Sequence, residues 1–275
     1  MTPMHAWRRF IVRLSNFWIP SSRKTVVHSR INDCSLLVLA NEDVGRSIHF
    51  GRSYEAAETK YLEGFISSTS ICVDVGANIG YFTLLMGKVA CQGKVYAFEP
   101  IPLNASLLRA SVELNGFENI EIVESAVGAL DGKISFSQST DSAYSSIRDT
   151  ERKPVEREIS VSMTTMDTYV CHHRIQSIDV LKIDVEGAEG LVLEGSKALL
   201  SDPDRRPKLV LMELFDQNLV PFNTHASAVV DTMRGFGYTP FFVDDLAKLV
   251  PFNEEALVTL YNVFFLSPAS LPDHG

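Results

Sequence analysis

From residue 70 onward, apolar runs of strand length alternate with segments of helical spacing. The runs Ile71–Val75, Lys94–Phe98, 120–124, Val180–Ile183, Leu209–Glu213, Thr239–Val243 and 261–266 read as strands. Between them, 80–89, 101–115, 187–200 and 225–236 carry the helical period. This alternation predicts an α/β fold with a doubly wound, mostly parallel sheet covered on both faces. The last two strands are joined by a loop with no helix-length crossover, which predicts one antiparallel strand at that edge. Upstream, 35–40 and 47–50 alternate on either side of Asn41-Glu42-Asp43-Val44-Gly45, a hairpin pattern. A helix follows from 54 to about 67, with Ala57, Tyr61, Leu62 and Phe65 on its apolar face. The chain so divides into an N-terminal extension (1–30), a hairpin and helix packing on the core (31–69), and a core domain (70–268).

Composition narrows the partners. With 45% hydrophobic and 21% charged residues, the chain resembles an ordinary globular protein. A formal charge of −9 argues against a nucleic-acid surface, which needs basic residues to displace counterions. Cys34, Cys72, Cys91 and Cys171 are scattered without metal spacing, as expected of reduced thiols in the cytoplasm. No apolar run approaches the roughly 20 residues that cross a bilayer. Within 7–18, Arg8, Arg9 and Arg13 interleave with Trp7, Phe10, Ile11, Leu14, Phe17 and Trp18. That basic amphipathic stretch reads as a helix packed on the domain or a partner, with peripheral membrane contact as the alternative. The segment 137–154, rich in Ser, Thr, Asp and Arg, reads either as a solvated hairpin tip or as a flap over an acceptor site.

The chemistry concentrates at strand tips. Ile71-Cys72-Val73-Asp74-Val75 runs into Gly76-Ala77-Asn78-Ile79-Gly80, and the next strand ends in Phe98-Glu99-Pro100. A strand-turn-helix unit followed by an acid can hold a ribose. A dinucleotide turn, however, needs a second glycine beside the pyrophosphate, and Asn78 stands there. The turn therefore suits a cofactor without phosphate, such as S-adenosylmethionine. In that reading Asp74 faces the tail ammonium or orients the turn through its N–H groups, while Gly76 and Gly80 permit close backbone approach. Ala77 lies between them. Glu99 accepts from the ribose hydroxyls, or alternatively caps the helix that begins after Pro100. Ser125, Ala126 and Val127 offer adenine backbone amides and an apolar face.

A third tip, Val180-Leu181-Lys182-Ile183-Asp184-Val185-Glu186-Gly187-Ala188-Glu189, repeats the design. Asp184 and Glu186 would face the transferable methyl group and could remove an acceptor proton. Strand alternation points Lys182 and Asp184 to the same side, and Glu213 adds an acid to the rim. Asp184, Glu186 and Glu213 could hold a hard cation, but without a neutral ligand no metal is expected. His225 reads as a helix-start residue or a further site residue, and His172 and His173 as surface.

Together, Val73–Thr83 (VDVGANIGYFT), Phe98-Glu99-Pro100, 181–189 and the closing Asn262-Val263-Phe264-Phe265-Leu266 resemble the FkbM family of S-adenosylmethionine-dependent methyltransferases. The likeness covers 32–268 and includes Tyr54-Glu55. It implies a class I methyltransferase fold, Rossmann-like, with a seven-stranded sheet whose last strand is antiparallel. It also implies O-methylation of a hydroxyl, often on a sugar, a glycan or another natural product. By position, Asp74, Gly76 and Asn78 would lie on the cofactor loop, Glu99 on the ribose, and Asp184 with Glu186 beside the acceptor. The residues alone also admit an NAD-dependent oxidoreductase or a catalytically silent binding module.

Overall fold

The computed structural model describes residues 24–51, 54–258 and 261–271, so the amphipathic stretch 7–18 lies outside the described residues. The chain opens with an antiparallel pair, β1 (Val26–Ile31) and β2 (Cys34–Leu39). They are joined by Asn32-Asp33, both left-handed at φ 50 and 62. Two such residues match the right-handed twist of the strands they join, and Asn and Asp tolerate the conformation best. Two helices follow, α1 (Asp43–Gly51) and α2 (Ala56–Phe65).

The hairpin expected over 31–53 is therefore displaced. Its first run is β2, but the partner strand precedes it, and its second run is helical. The buried residues Gly45 and Ile48 are three apart, a helical spacing. In β1 the alternation is masked, because His28 and Arg30 flank the buried Ser29 and Ile31.

The core then runs β3 (Ile71–Val75), α3 (Tyr81–Val89), β4 (Lys94–Phe98), α4 (Pro102–Asn115) and β5 (Ile120–Val123). An excursion of three strands comes next: β6 (Ala126–Val127), β7 (Gly132–Ser139) and β8 (Val155–Thr164). They form a separate sheet in the order β6-β8-β7 that the Ser-rich composition concealed. After α5 (Met166–His172) and β9 (Val180–Ile183) come α6 (Glu189–Glu194) and α7 (Lys197–Ser201). The single helix expected over 187–200 is split, and Asp167 restarts it by accepting from Ala198 N and Leu199 N at 2.9 and 2.8 Å. The chain closes with β10 (Leu209–Glu213), α8 (Asp216–Leu219), α9 (Ala226–Gly235), β11 (Thr239–Val243), β12 (Leu249–Pro251) and β13 (Asn262–Leu266).

The main sheet has the order β12-β11-β13-β10-β9-β3-β4-β5. From β5 to β10 the strands are parallel, and β13 is antiparallel to both neighbours. The class I fold is thus present with its antiparallel last strand. That strand is inserted between β10 and β11, not at the edge, and the short β12 makes an eighth. Burial explains the placement. Val263 to Leu266 are buried on both faces, so β13 needs neighbours on each side, whereas β12 ends in the exposed Pro251 and tolerates an edge. Successive strand residues feed opposite faces. Cys72, Val95, Val180, Leu211 and Phe264 pack on one side with Leu36 and Leu62, and Val73, Phe98, Leu181, Val210 and Phe265 on the other. Among the described residues no helix is long and apolar enough to cross a membrane.

Candidate active site

The strand order reverses between β3 and β9, where a doubly wound sheet opens a crevice at its carboxyl edge. A cleft of about 1110 Å³, partly open to solvent, lies there and is lined by Asp74, Glu99, Asp184, Glu186 and Glu213. Gly76, Ala77, Asn78, Pro100, Ser125 and Ala126 also line it.

The turn 76–80 is built from left-handed residues, with φ 81 at Gly76, 50 at Asn78 and 96 at Gly80. Gly76 N and Ala77 N donate to Phe98 O at 3.0 and 2.9 Å, and Asn78 N donates to Glu99 Oε2 at 2.8 Å. The other oxygen of Glu99 accepts from Ile101 N at 2.9 Å and Asn104 Nδ2 at 3.5 Å. Glu99 therefore lines the cleft and also ties the turn to the start of α4. Burial pushes its pKa up to about 7, against the hydrogen bonds that hold it down. Ser125 N donates to Val123 O at 2.8 Å and its hydroxyl to Ala126 O at 2.9 Å, so the Ser125 amide expected to contact adenine is already engaged, while Ser125, Ala126 and Val127 line the cleft.

Asp74 does not hold the turn through N–H groups, because Phe98 O and Glu99 take that role. Register sets it beside Lys182 on the neighbouring strand. It is 1% exposed; Oδ2 accepts from Thr83 Oγ1 at 2.6 Å, and Oδ1 lies 3.7 Å from Lys182 Nζ. Lys182 reaches Asp184 Oδ2 at 3.0 Å and lies over the Phe82 ring at 5.2 Å. Burial works to lower the Lys182 pKa, but Asp184, Asp74 and Glu55 more than offset it, so the ammonium is held well above its ordinary range.

Beyond Asp184 the acids crowd. Carboxylate oxygens of Asp184, Glu186 and Glu213 lie within 4.8 Å of one another, near enough to share a hard cation. Glu186 is left-handed at φ 53, and its Oε2 accepts from Arg152 Nη1 at 2.9 Å and Asn218 Nδ2 at 2.6 Å. Burial and then Asp184 push Glu186 up to about 8. Burial, followed by Asp184, Glu186 and Glu55, drives Glu213 well above the usual carboxylate range.

Several residues in or beside the cleft had no site role in the sequence reading. Tyr54 lines the cleft, and Glu55 beside it is left-handed at φ 40 and ψ 58. Burial, then Asp184 and Glu58, push Glu55 up to about 8. The Tyr54 carbonyl is fixed by Tyr81 OH at 2.7 Å, whose oxygen also meets Thr59 Oγ1 at 2.8 Å and Asn32 Nδ2 at 3.1 Å. The sequence signal was the family resemblance, which includes the pair Tyr54-Glu55 at the start of an expected helix.

The β7–β8 tip, by contrast, is not a solvated loop. Ser142, Ser145, Ser146 and Thr150 are buried, and Ser142, Ala143, Tyr144 and Ser145 line the cleft. One end is tied to the α1 side: Glu42 accepts from Ser142 N at 3.0 Å, and Asp141 Oδ2 accepts from Asp43 N at 2.8 Å. The other end is tied by Arg152, whose guanidinium lies 4.3 Å from the Tyr144 ring centre and 5.0 Å from that of Phe215. His225 is outside the cleft lining and caps α9 by accepting from Ala228 N at 3.2 Å. His172 and His173 are exposed.

The family model described as Methyltransferase FkbM domain matches residues 74–240. Methyltransferase 1 of Beauveria bassiana (strain ARSEF 2860) is 26% identical over 144 residues, 46% of this chain and 58% of that protein. The 2-O-methyltransferase NoeI of Sinorhizobium fredii (strain NBRC 101917 / NGR234) is 23% identical over 180 residues, 60% of this chain and 72% of that protein. The chain thus matches little more than half the length of the Beauveria relative. Among solved structures, the precorrin-6y C5,15-methyltransferase from Geobacter metallireducens GS-15 aligns over 78% of this chain and 89% of its own, at 11% identity and a TM-score of 0.45. The fold assignment rests on strand order instead. The family match covers more than half of the chain, from Asp74 through the turn and every acid-bearing tip to Pro240, and so the protein belongs to the FkbM methyltransferase family.

Proposed function

We propose that this protein transfers the methyl group of S-adenosylmethionine to a hydroxyl of a sugar, glycan or other natural product. The observation that carries the reading is one cleft with the turn 76–80 and Glu99 toward one side and Asp184, Glu186 and Glu213 toward the other. The residues fit the cofactor. Asp74 Oδ1 is buried, 3.7 Å from Lys182 Nζ and without a hydrogen bond, so it keeps accepting capacity for a cofactor ammonium. Glu99 Oε2 holds one N–H and has a further lone pair for a ribose hydroxyl. Asn78 crowds the place of a pyrophosphate, which disfavours NAD. The name of the Sinorhizobium relative, a 2-O-methyltransferase, supports an oxygen acceptor.

When bound, S-adenosylmethionine supplies a methyl group on a cationic sulfur. Asp74 and Asp184, both held by Lys182, would place acceptor oxygens beside it. Asp184, or Glu186 once ionised above about pH 8, would take the proton of the acceptor hydroxyl as the oxygen–carbon bond forms and the carbon–sulfur bond breaks. Alignment can supply roughly 7–11 kcal/mol of the acceleration. A base would add about 10²–10⁴-fold.

Calorimetric titration with S-adenosylmethionine and with NADH tests the reading. Glu99→Ala is expected to weaken S-adenosylmethionine binding by roughly 10–100-fold, the worth of charge-assisted hydrogen bonds. NADH binding in its place would overturn the methyltransferase assignment, and binding of neither would favour a silent module. A screen with labelled cofactor then identifies the acceptor by the product that carries the methyl group.

The acids predict a pH dependence. Glu55 and Glu186 keep their protons to about 8, and burial holds Glu213 well above the usual carboxylate range, whereas an unfolded chain releases them near about 4.3. Between those values the folded chain binds more protons than the unfolded one, so the contribution of these groups to stability falls as pH rises. A bound cation favours their ionised forms. Affinity for S-adenosylmethionine relative to S-adenosylhomocysteine, which lacks the sulfonium charge, is expected to increase from about pH 6 to about pH 9. A ratio that stays flat over that range would show that these acids do not sense the sulfonium.

A further inference from the structure

Glu189 is buried at 1% exposure in the first turn of α6, outside the cleft lining. Its Oε1 accepts from Val185 N at 3.2 Å and Gly187 N at 3.1 Å, while Oε2 is buried without a hydrogen-bond partner. No ion pair reaches it among the described residues. Those two N–H groups straddle Glu186, and Glu186 and Gly187 are successive left-handed residues at φ 53 and 102. Such a run turns backbone N–H groups toward one point, a nest that receives an anion. Here an oxygen of the protein's own Glu189 carboxyl group occupies it.

A left-handed glutamate is strained and persists only where its surroundings dictate it. Two further contacts complete the enclosure. A Cβ on Gly187 would overlap the carbonyl oxygen of Asn218, so the turn sits directly on α8. Asn218 in turn donates to Glu186 Oε2 at 2.6 Å. On the other side Asp184 N donates to Val75 O at 3.0 Å, which fixes the start of the turn to the tip of β3.

We propose that Glu189 is a positioning residue: its carboxylate holds the turn 185–187 in the conformation that aims Asp184 and Glu186 into the cleft. The role in turnover rests on the methyltransferase reading above; the conformational role does not. Glu189→Gln retains an oxygen that can accept from both N–H groups, and Glu189→Ala removes it.

Amide exchange of Val185 and Gly187, followed by NMR, is expected to quicken roughly 10–100-fold in Glu189→Ala, in line with loss of hydrogen bonds to a charged group, and to return most of the way in Glu189→Gln. Exchange in the turn 76–80, which is held by Phe98 and Glu99, should change less than exchange at Val185 and Gly187. With an acceptor from the labelled-cofactor screen, kcat should fall on the order of 10²-fold, more than any change in the cofactor KM, the signature of a misaimed reactive group. Unchanged exchange at 185 and 187 in Glu189→Ala overturns the proposal, as does a loss of protection spread over the whole core. Should Glu189→Ala not fold, Glu189→Gln with exchange unlike the parent protein overturns it equally. Wild-type protein that binds no S-adenosylmethionine would sink the methyltransferase reading while leaving the exchange result to decide on Glu189.

Discussion

Lys182→Met should lower stability by about 3–5 kcal/mol, the cost of removing one partner from a buried ion pair. The methionine keeps most of the stem that packs over Phe82, so the loss isolates the charge. Lys182 is 5% exposed, and the carboxylates it meets, Asp74 and Asp184, come from its own strand tip and the adjacent one. Without the ammonium, Asp74 would retain Thr83 as its sole hydrogen-bond donor beside an unneutralised Asp184. A urea titration with an unchanged slope should report the loss. Asp74→Asn in the Lys182→Met background should recover part of it, since removing both charges is milder than orphaning one. A loss below about 1 kcal/mol would mean that water already screens the pair.

Gly76→Ala should be nearly as damaging, for a different reason. A Cβ there would overlap the backbone carbonyl of Asp184, which has no side-chain freedom with which to yield, and φ of 81 adds left-handed strain. Strain of roughly 1–2 kcal/mol and overpacking of about 1–3 kcal/mol together predict a lower melting temperature and loss of S-adenosylmethionine binding. Gly80→Ala is the control. It carries similar strain at φ 96, but its Cβ would meet the end of the Leu108 side chain, which can move. Calorimetry on both variants should rank Gly76→Ala as clearly the worse. Equal losses would mean that the turn and the Asp184 peptide are not packed as rigidly as the geometry implies.

The strand tips were legible because the chemistry follows the period of the chain. Asp74, Glu99, Asp184 and Glu213 each close an apolar run, and Lys182 with Asp184 obeys strand alternation. What no period reveals is a side chain delivered from elsewhere. Arg152 belongs to a tip whose buried serines are satisfied by Glu42 and by the carbonyl of Val185, partners far away in sequence. Glu55 is brought in by a left-handed residue just ahead of a helix, and φ is not written in residue type when the residue is neither glycine nor asparagine. The same limit applied to β1, whose outward His28 and Arg30 obscured its alternation, and to β13, where chain order suggested an edge but two-sided burial required an interior slot.

The hydroxyl of Tyr81 has a consequence for where this protein ends as a folding unit. From the first position after the turn 76–80, it joins the β1–β2 turn, through Asn32, to the Tyr54 carbonyl. Leu36 and Val38 of β2 are fully buried in the same apolar layer as Leu85 and Phe264. The stretch shared with the family, 74–240, is therefore smaller than the piece that can stand alone. A fragment trimmed to it would bare that layer to water and leave Tyr81 without its anchors. Grafting the cleft into another protein with this layer still covered would mean carrying β1 and β2 along with it.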